Sequence, residues 1–145
     1  MTGEQIEMQQ FLRVYQDLNI DTIDTIEQIY SHDVHFIDPA HEIRGLADLT
    51  VYFKNLYQNI NHISFDFRHP HRDQEEGYVQ WQMTFSHPRL KSGGDILVDG
   101  ASFLRFSAEN KVFFHRDYFD LGSMLYQHLP LLGGVIKTIN RRLGS

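Results

Sequence analysis

The sequence predicts one α+β domain, and three observations predict it. Apolar residues recur at three- and four-residue spacing as far as Tyr57, then at every second residue from Ile63. Short turn-forming stretches separate the alternating runs, which is the pattern of an antiparallel meander. Finally, 145 residues without a cysteine are enough to fold around one apolar core and exclude disulfides, thiol catalysis and thiolate metal sites. Helices first and strands second is the α+β order. A curved sheet wrapped over helices can enclose a pocket between the two layers.

Phe11, Leu12, Tyr15 and Leu18 mark a first helix. Ile23, Ile26, Ile29 and Tyr30 lie on one face of a second, with Asp21 or Thr22 as its cap. A short strand, Val34 to Ile37, is closed by Asp38-Pro39. Arg44-Gly45 precedes a third helix with the apolar stripe Leu46, Leu49, Phe53, Leu56 and Tyr57. Ile63, Phe65 and Phe67 then open the strands. Val79, Trp81, Met83 and Phe85 share one face of the next, and two further strands run from Ile96 to Phe106 and from Lys111 to Asp120. The final stretch, 122–145, reads as a helical tail interrupted by Pro130 and Gly133-Gly134. It is expected to pack on the domain or on a partner subunit; its basic second half makes contact with a membrane surface the minor alternative. The whole of 1–145 is expected to form a single domain.

A net charge of −6 argues against a nucleic-acid surface. The N-terminus is polar, with no basic start and no apolar run, so no signal peptide is expected and the expected location is cytoplasmic. No apolar run approaches a membrane span.

Three pieces carry a family resemblance. They are the run from Ile29 to Pro39 followed by Arg44-Gly45; Phe103-Leu104-Arg105-Phe106, a turn, then Lys111-Val112; and His115-Arg116-Asp117-Tyr118-Phe119-Asp120. In order and spacing they resemble the SnoaL-like branch of the nuclear transport factor 2 superfamily, which includes ketosteroid isomerase, limonene epoxide hydrolase and the polyketide cyclases. The resemblance covers about Phe11 to Leu121. It implies a cone-shaped roll, with N-terminal helices packed on a curved, mixed but mainly antiparallel sheet around a pocket.

The resemblance also implies roles. An aspartate at the place of Asp38, also before proline, is the proton-shuttling base of the isomerases. An aspartate in a context like His115-x-Asp117 is the acid/base of the cyclases. Tyr15 lies one residue from the place of the isomerase oxyanion tyrosine, which aligns with Val14. The second isomerase oxyanion donor, a protonated aspartate, is replaced by Ser102. The arginine-x-aspartate signature of the epoxide hydrolases is absent: Arg116 and Asp117 are adjacent, which sends them to opposite sheet faces.

Alternation places Phe113, His115, Asp117 and Phe119 on one face of the last strand. If that face lines the pocket, it offers an imidazole and a carboxylate framed by phenyl rings, a setting for general acid/base work. The opposite face would bring in Arg116 and Asp120 instead. Asp38 has two readings, a turn opener before proline and a site acid. The expected catalytic set is Asp38, Asp117, His115 and Tyr15, with Ser102, Trp81, Phe113, Phe119 and Phe53 against the substrate. His32, Asp33, His35, Asp38 and His41 have no known metal spacing, and neither a metal nor a cofactor is expected.

The expected activity is cofactor-free proton transfer on an apolar carbonyl compound, as in an isomerase or aldol cyclase. The alternative is a non-catalytic module of the same fold that binds an apolar ligand or a protein. Apolar residues on both faces of Ile96–Phe106 fit a homodimer through the sheet face.

Overall fold

The computed structural model describes residues 3–124. Its elements are a helix α1, Gly3–Gln16; a short 3-10 segment, Ile23–Gln28; strands β1, Tyr30–Ile37, and β2, Glu42–Arg44; helix α2, Leu46–Asn59; strands β3, His62–Asp73, β4, Glu76–Ser86, β5, Ile96–Phe106, and β6, Val112–Phe119; and a helical turn α3, Leu121–Met124. The six strands form one curved, open sheet in the order β2-β1-β6-β5-β4-β3. All neighbours run antiparallel except β1 and β6, which are parallel. The mixed, mainly antiparallel sheet is therefore the one expected. The tail beyond residue 124 lies outside the described residues.

Alternation sets which side of the sheet is buried. Val79, Trp81, Met83 and Phe85 of β4, and Ile96, Val98, Leu104 and Phe106 of β5, all point into the core. Helix α1 covers them with Met8, Phe11, Leu12 and Tyr15, and α2 with Leu46, Leu49 and Phe53. Burying a side chain such as Leu49, which is wholly enclosed, stabilises by about 1.5–3 kcal/mol. The start of α2 depends on Gly45, whose φ of 94° lies where a Cβ is disfavoured. Its N–H donates to the Val34 carbonyl at 2.8 Å, and its carbonyl accepts from Leu49 N–H.

Several local expectations need correction. The second predicted helix is only the 3-10 segment, and Tyr30 belongs to β1. Thr22 does sit at the cap position, but its hydroxyl donates back to the Asp17 carbonyl and makes no cap hydrogen bond. Strand β2, an antiparallel partner of β1, is an element the sequence reading does not contain.

The last strand carries the largest correction. Arg105 pairs with Phe114, yet the next residue, Phe106, pairs with Val112, so Phe113 is an extra residue. This β-bulge breaks the alternation at that point. Val112, His115, Asp117 and Phe119 face inward, and Phe113 packs instead beneath the Arg105 guanidinium, 5.4 Å from its ring centre. Arg116 faces out, over Tyr118.

Candidate active site

The helices and the concave face of the sheet line a partly open cavity of about 260 Å³. Its walls are apolar, with Phe36, Phe53, Phe65, Trp81, Met83 and Phe119 among them. Five polar residues also reach it on the strands and α2 or at their ends: Asp38, Tyr52, Tyr57, His87 and Asp117; Tyr15 reaches it from α1 and His41 from the turn after β1.

Sheet register explains why two acids distant in the chain meet here. Parallel β1 and β6 pair Ile37 with Arg116, so Asp38 emerges level with Asp117. Their side chains are 7% and 19% exposed, and both line the cavity.

The hydrogen bonds treat the two acids differently. Asp38 is both of the things its sequence context suggests: it opens a turn, and it faces the cavity. Its Oδ1 accepts from the backbone N–H of Ala40 at 2.8 Å and of His41 at 2.7 Å, and from His41 Nδ1 at 3.1 Å. Its Oδ2 accepts from the Tyr52 hydroxyl at 3.2 Å and shares His41 Nδ1 at 3.3 Å. Both oxygens are committed.

Asp117 is held through one oxygen only. Ser102 pairs with it across the strands and donates its hydroxyl to Oδ1 at 2.5 Å. His115, two residues back on the same face, holds Oδ1 through Nε2 at 2.6 Å. Oδ2 accepts no hydrogen bond from any described residue. A carboxylate can only accept, so His115 places a proton on Nε2. Nδ1 then accepts from the Tyr30 hydroxyl at 2.6 Å, and Tyr30 accepts from Tyr15 at 2.5 Å. One directed chain, Tyr15 to Tyr30 to His115 to Asp117, runs behind the cavity wall.

Trp81 completes the support. Its indole N–H donates to Ser102 Oγ at 2.9 Å. The indole crosses β5 because its cross-strand partner is Gly100: a Cβ there would lie 2.3 Å from the ring.

The tyrosines remain protonated donors. Burial, with the neighbouring hydroxyl and Asp117 adding to it, pushes Tyr15 well above the ordinary range; burial does the same to Tyr30. Tyr52 is raised by burial and then by Asp38, and Tyr57 by burial.

Among the expected site residues, Asp38, Asp117, Tyr15, Trp81, Phe53 and Phe119 line the cavity. His115 does not; it is 1% exposed, and its two ring nitrogens are engaged by Tyr30 and Asp117. Ser102 does not line it either, because its one proton goes to Asp117 and its oxygen to Trp81. Phe113 is removed by the bulge. Sequence reasoning missed Tyr30, Tyr52, Tyr57, His41 and His87. Four of these had a weak signal: the two helix tyrosines sit on or beside the α2 stripe, Tyr30 was assigned to a helix face, and His41 follows the turn aspartate by three. Among the described residues no group of three His, Cys, Asp or Glu side chains gathers to hold a metal, and no helix is long and apolar enough to cross a membrane.

The family profile of the SnoaL-like domain matches residues 9–115. No curated protein matches the sequence. Among solved structures, a candidate SnoaL-like polyketide cyclase from Shewanella denitrificans is 17% identical, with a TM-score of 0.72 over 86% of this chain and 97% of that one. An NTF2-like protein of unknown function from Burkholderia pseudomallei gives 13% identity and a TM-score of 0.72, covering 85% and 98%. A protein with a ketosteroid isomerase-like fold from Catenulispora acidiphila, in complex with trimethylamine, gives 15% and 0.70, covering 88% and 94%. At these identities the likeness is one of fold.

Proposed function

The chain belongs to the SnoaL-like domain family, and from that premise we propose that it catalyses cofactor-free proton transfer on an apolar carbonyl compound, with Asp117 as the acid/base. The observation that carries this reading is the uncommitted Oδ2 of Asp117 in an apolar cavity. That oxygen can take a proton from the carbon beside a carbonyl while Ser102 and His115 hold the other oxygen still. The product is an enol or enolate, the common intermediate of isomerisation and aldol closure.

Tyr15, which lines the cavity, supplies the oxyanion donor by turning its hydroxyl proton from Tyr30 to the ligand oxygen, while Tyr30 goes on donating to His115 and no proton changes owner. A neutral, desolvated phenol is well suited to stabilise developing charge there. Asp38, with both oxygens already hydrogen-bonded, is not the group that moves the proton. The cavity, about 260 Å³, is just below the roughly 300–1,000 Å³ of drug-sized sites. This favours a bicyclic terpenoid- or polyketide-like ligand over a steroid.

The test is deuterium uptake from D₂O at C2 of 1-tetralone and of a panel of similar bicyclic ketones, followed by NMR. Exchange accelerated by the wild type and lost in Asp117→Asn supports the reading. Binding of the ketones with no exchange in any case would replace it with the non-catalytic ligand-binding module.

The outer face of the sheet supports a homodimer. Tyr78, Leu97 and Tyr118 are about half exposed there, beside the ring pairs Tyr78–Phe103 and Phe103–Phe114. A dimer mass at micromolar concentration is expected, and a monomer mass contradicts it.

A further inference from the structure

The cavity has a second polar end, which the acid/base reading does not use. Tyr57 lines it, and its hydroxyl makes no hydrogen bond with any described residue. The other two cavity tyrosines on these walls are occupied, Tyr15 with Tyr30 and Tyr52 with Asp38. Tyr57 is half-buried, so its hydroxyl is open to an acceptor that enters the cavity.

His87 is its companion. The backbone N–H of Arg89 donates to His87 Nδ1 at 3.0 Å. An N–H can only donate, so Nδ1 holds the lone pair and the ring proton is on Nε2. That Nε2–H makes no hydrogen bond with any described residue, and the ring lines the cavity.

The backbone brings these two together. Asn61 N–H donates to the Ser86 carbonyl at 2.9 Å, which joins the end of α2, where Tyr57 lies, to the end of β4, which His87 follows. The acids lie at the other end. Tyr52 contacts Asp38, and a rise of ~1.5 Å per residue puts Tyr57 about 7 Å farther along α2. Asp117 acts on Tyr15, Tyr30 and Tyr52 but not on Tyr57, although Tyr57 itself acts on those three tyrosines. The carboxylates lie toward one end of the cavity, and two donors with no partner among the described residues, Tyr57 and His87, line it toward the other.

We propose that Tyr57 and His87 form a second recognition site that binds an acceptor oxygen at the far end of the ligand. This rests on the reading of the cavity as a carbonyl-compound site and narrows its substrate class. The ligand is an apolar body with oxygen functions at both ends, one beside the carbon that Asp117 deprotonates and one held by Tyr57 and His87. A hydrocarbon frame with a single ketone leaves the donor pair unsatisfied and binds more weakly.

Two isosteric probes test it by calorimetry: 2,6-diacetylnaphthalene, with an oxygen at each end, and 2-acetyl-6-ethylnaphthalene, with one. The wild type is expected to prefer the diketone by about tenfold. In Tyr57→Phe with His87→Leu, the preference is expected to fall to within about twofold. Asp117→Asn should keep the preference while losing deuterium exchange, so failure of catalysis and failure of this site are separate results. Equal affinities for the wild type, failure of both probes to bind, or an undiminished preference in the double variant overturns the proposal. The wild-type comparison decides even if a variant does not fold.

Discussion

Asp38 and Asp117 reach one cavity from neighbouring parallel strands, and their surroundings could hardly differ more. The partners of Asp38 are local: the next turn and one residue of the following helix. The partners of Asp117 come from across the fold, through β5, β1 and α1. Local partners saturate both oxygens of Asp38, while distant ones fix a single oxygen of Asp117 and leave the other to the cavity. Position in a pocket therefore does not identify a proton-transfer group. The acid with an oxygen to spare, on a rigid support, is the better candidate.

Replacing each acid gives the sharpest test of that difference. Asp117→Asn should lower deuterium exchange by roughly 10²–10⁴-fold with little change in ketone affinity. Asp38→Asn should lower it by less than about tenfold while reducing thermal stability, because the turn loses charged acceptors. The reverse ranking would assign catalysis to the turn aspartate.

The supports should separate in the same way. Tyr30→Phe leaves His115 Nδ1 and the Tyr15 hydroxyl without their partner, at a cost of about 1–3 kcal/mol. It should also displace the pH profile of exchange, which a purely structural loss would not do. An unchanged profile would remove the buried chain from the mechanism. Gly100→Ala pushes the indole of Trp81 off Ser102; overpacking of this kind costs about 1–3 kcal/mol. Trp81 is the one tryptophan of the chain, so its emission should move with the loss of stability. Unchanged emission and melting temperature would mean that the ring can move without cost.

The smallest effect is at alkaline pH. Tyr15, Tyr30, Tyr52 and Tyr57 are all raised above the ordinary range. The folded state therefore holds protons that the unfolded state loses above about pH 10. Stability from these groups is fully present below that pH and falls as pH rises through the folded values. Absorbance at 295 nm should show the four tyrosines ionising only together with unfolding; their ionisation in the folded protein would contradict their burial.

Much of the architecture is legible in the sequence, because a change of period from three or four to two is a strong signal. Asp38 is legible at the end of the apolar pair Phe36-Ile37, and Asp117, inside β6, through strand alternation and the His115-x-Asp117 resemblance. What is not legible follows from interactions that leave no pattern. The bulge at Phe113 depends on how β5 and β6 pair, and alternation within one strand cannot reveal it. Tyr52 and Tyr57 have apolar bodies, which place them with the α2 stripe, while both also line the cavity and Tyr52 donates to Asp38. The sequence offers His115 as a catalytic imidazole and Ser102 as a donor to the substrate; only the register across the strands shows both hydrogen-bonded to Asp117 and off the cavity wall.

A crystal structure with a bound aryl ketone tests the central claim most directly. The account predicts the carbon beside the carbonyl within about 3.5 Å of Asp117 Oδ2, with Oδ1 still held by Ser102 and His115. A ketone whose reactive carbon lies against Asp38, or Asp117 turned away with Oδ2 bonded elsewhere, would contradict it.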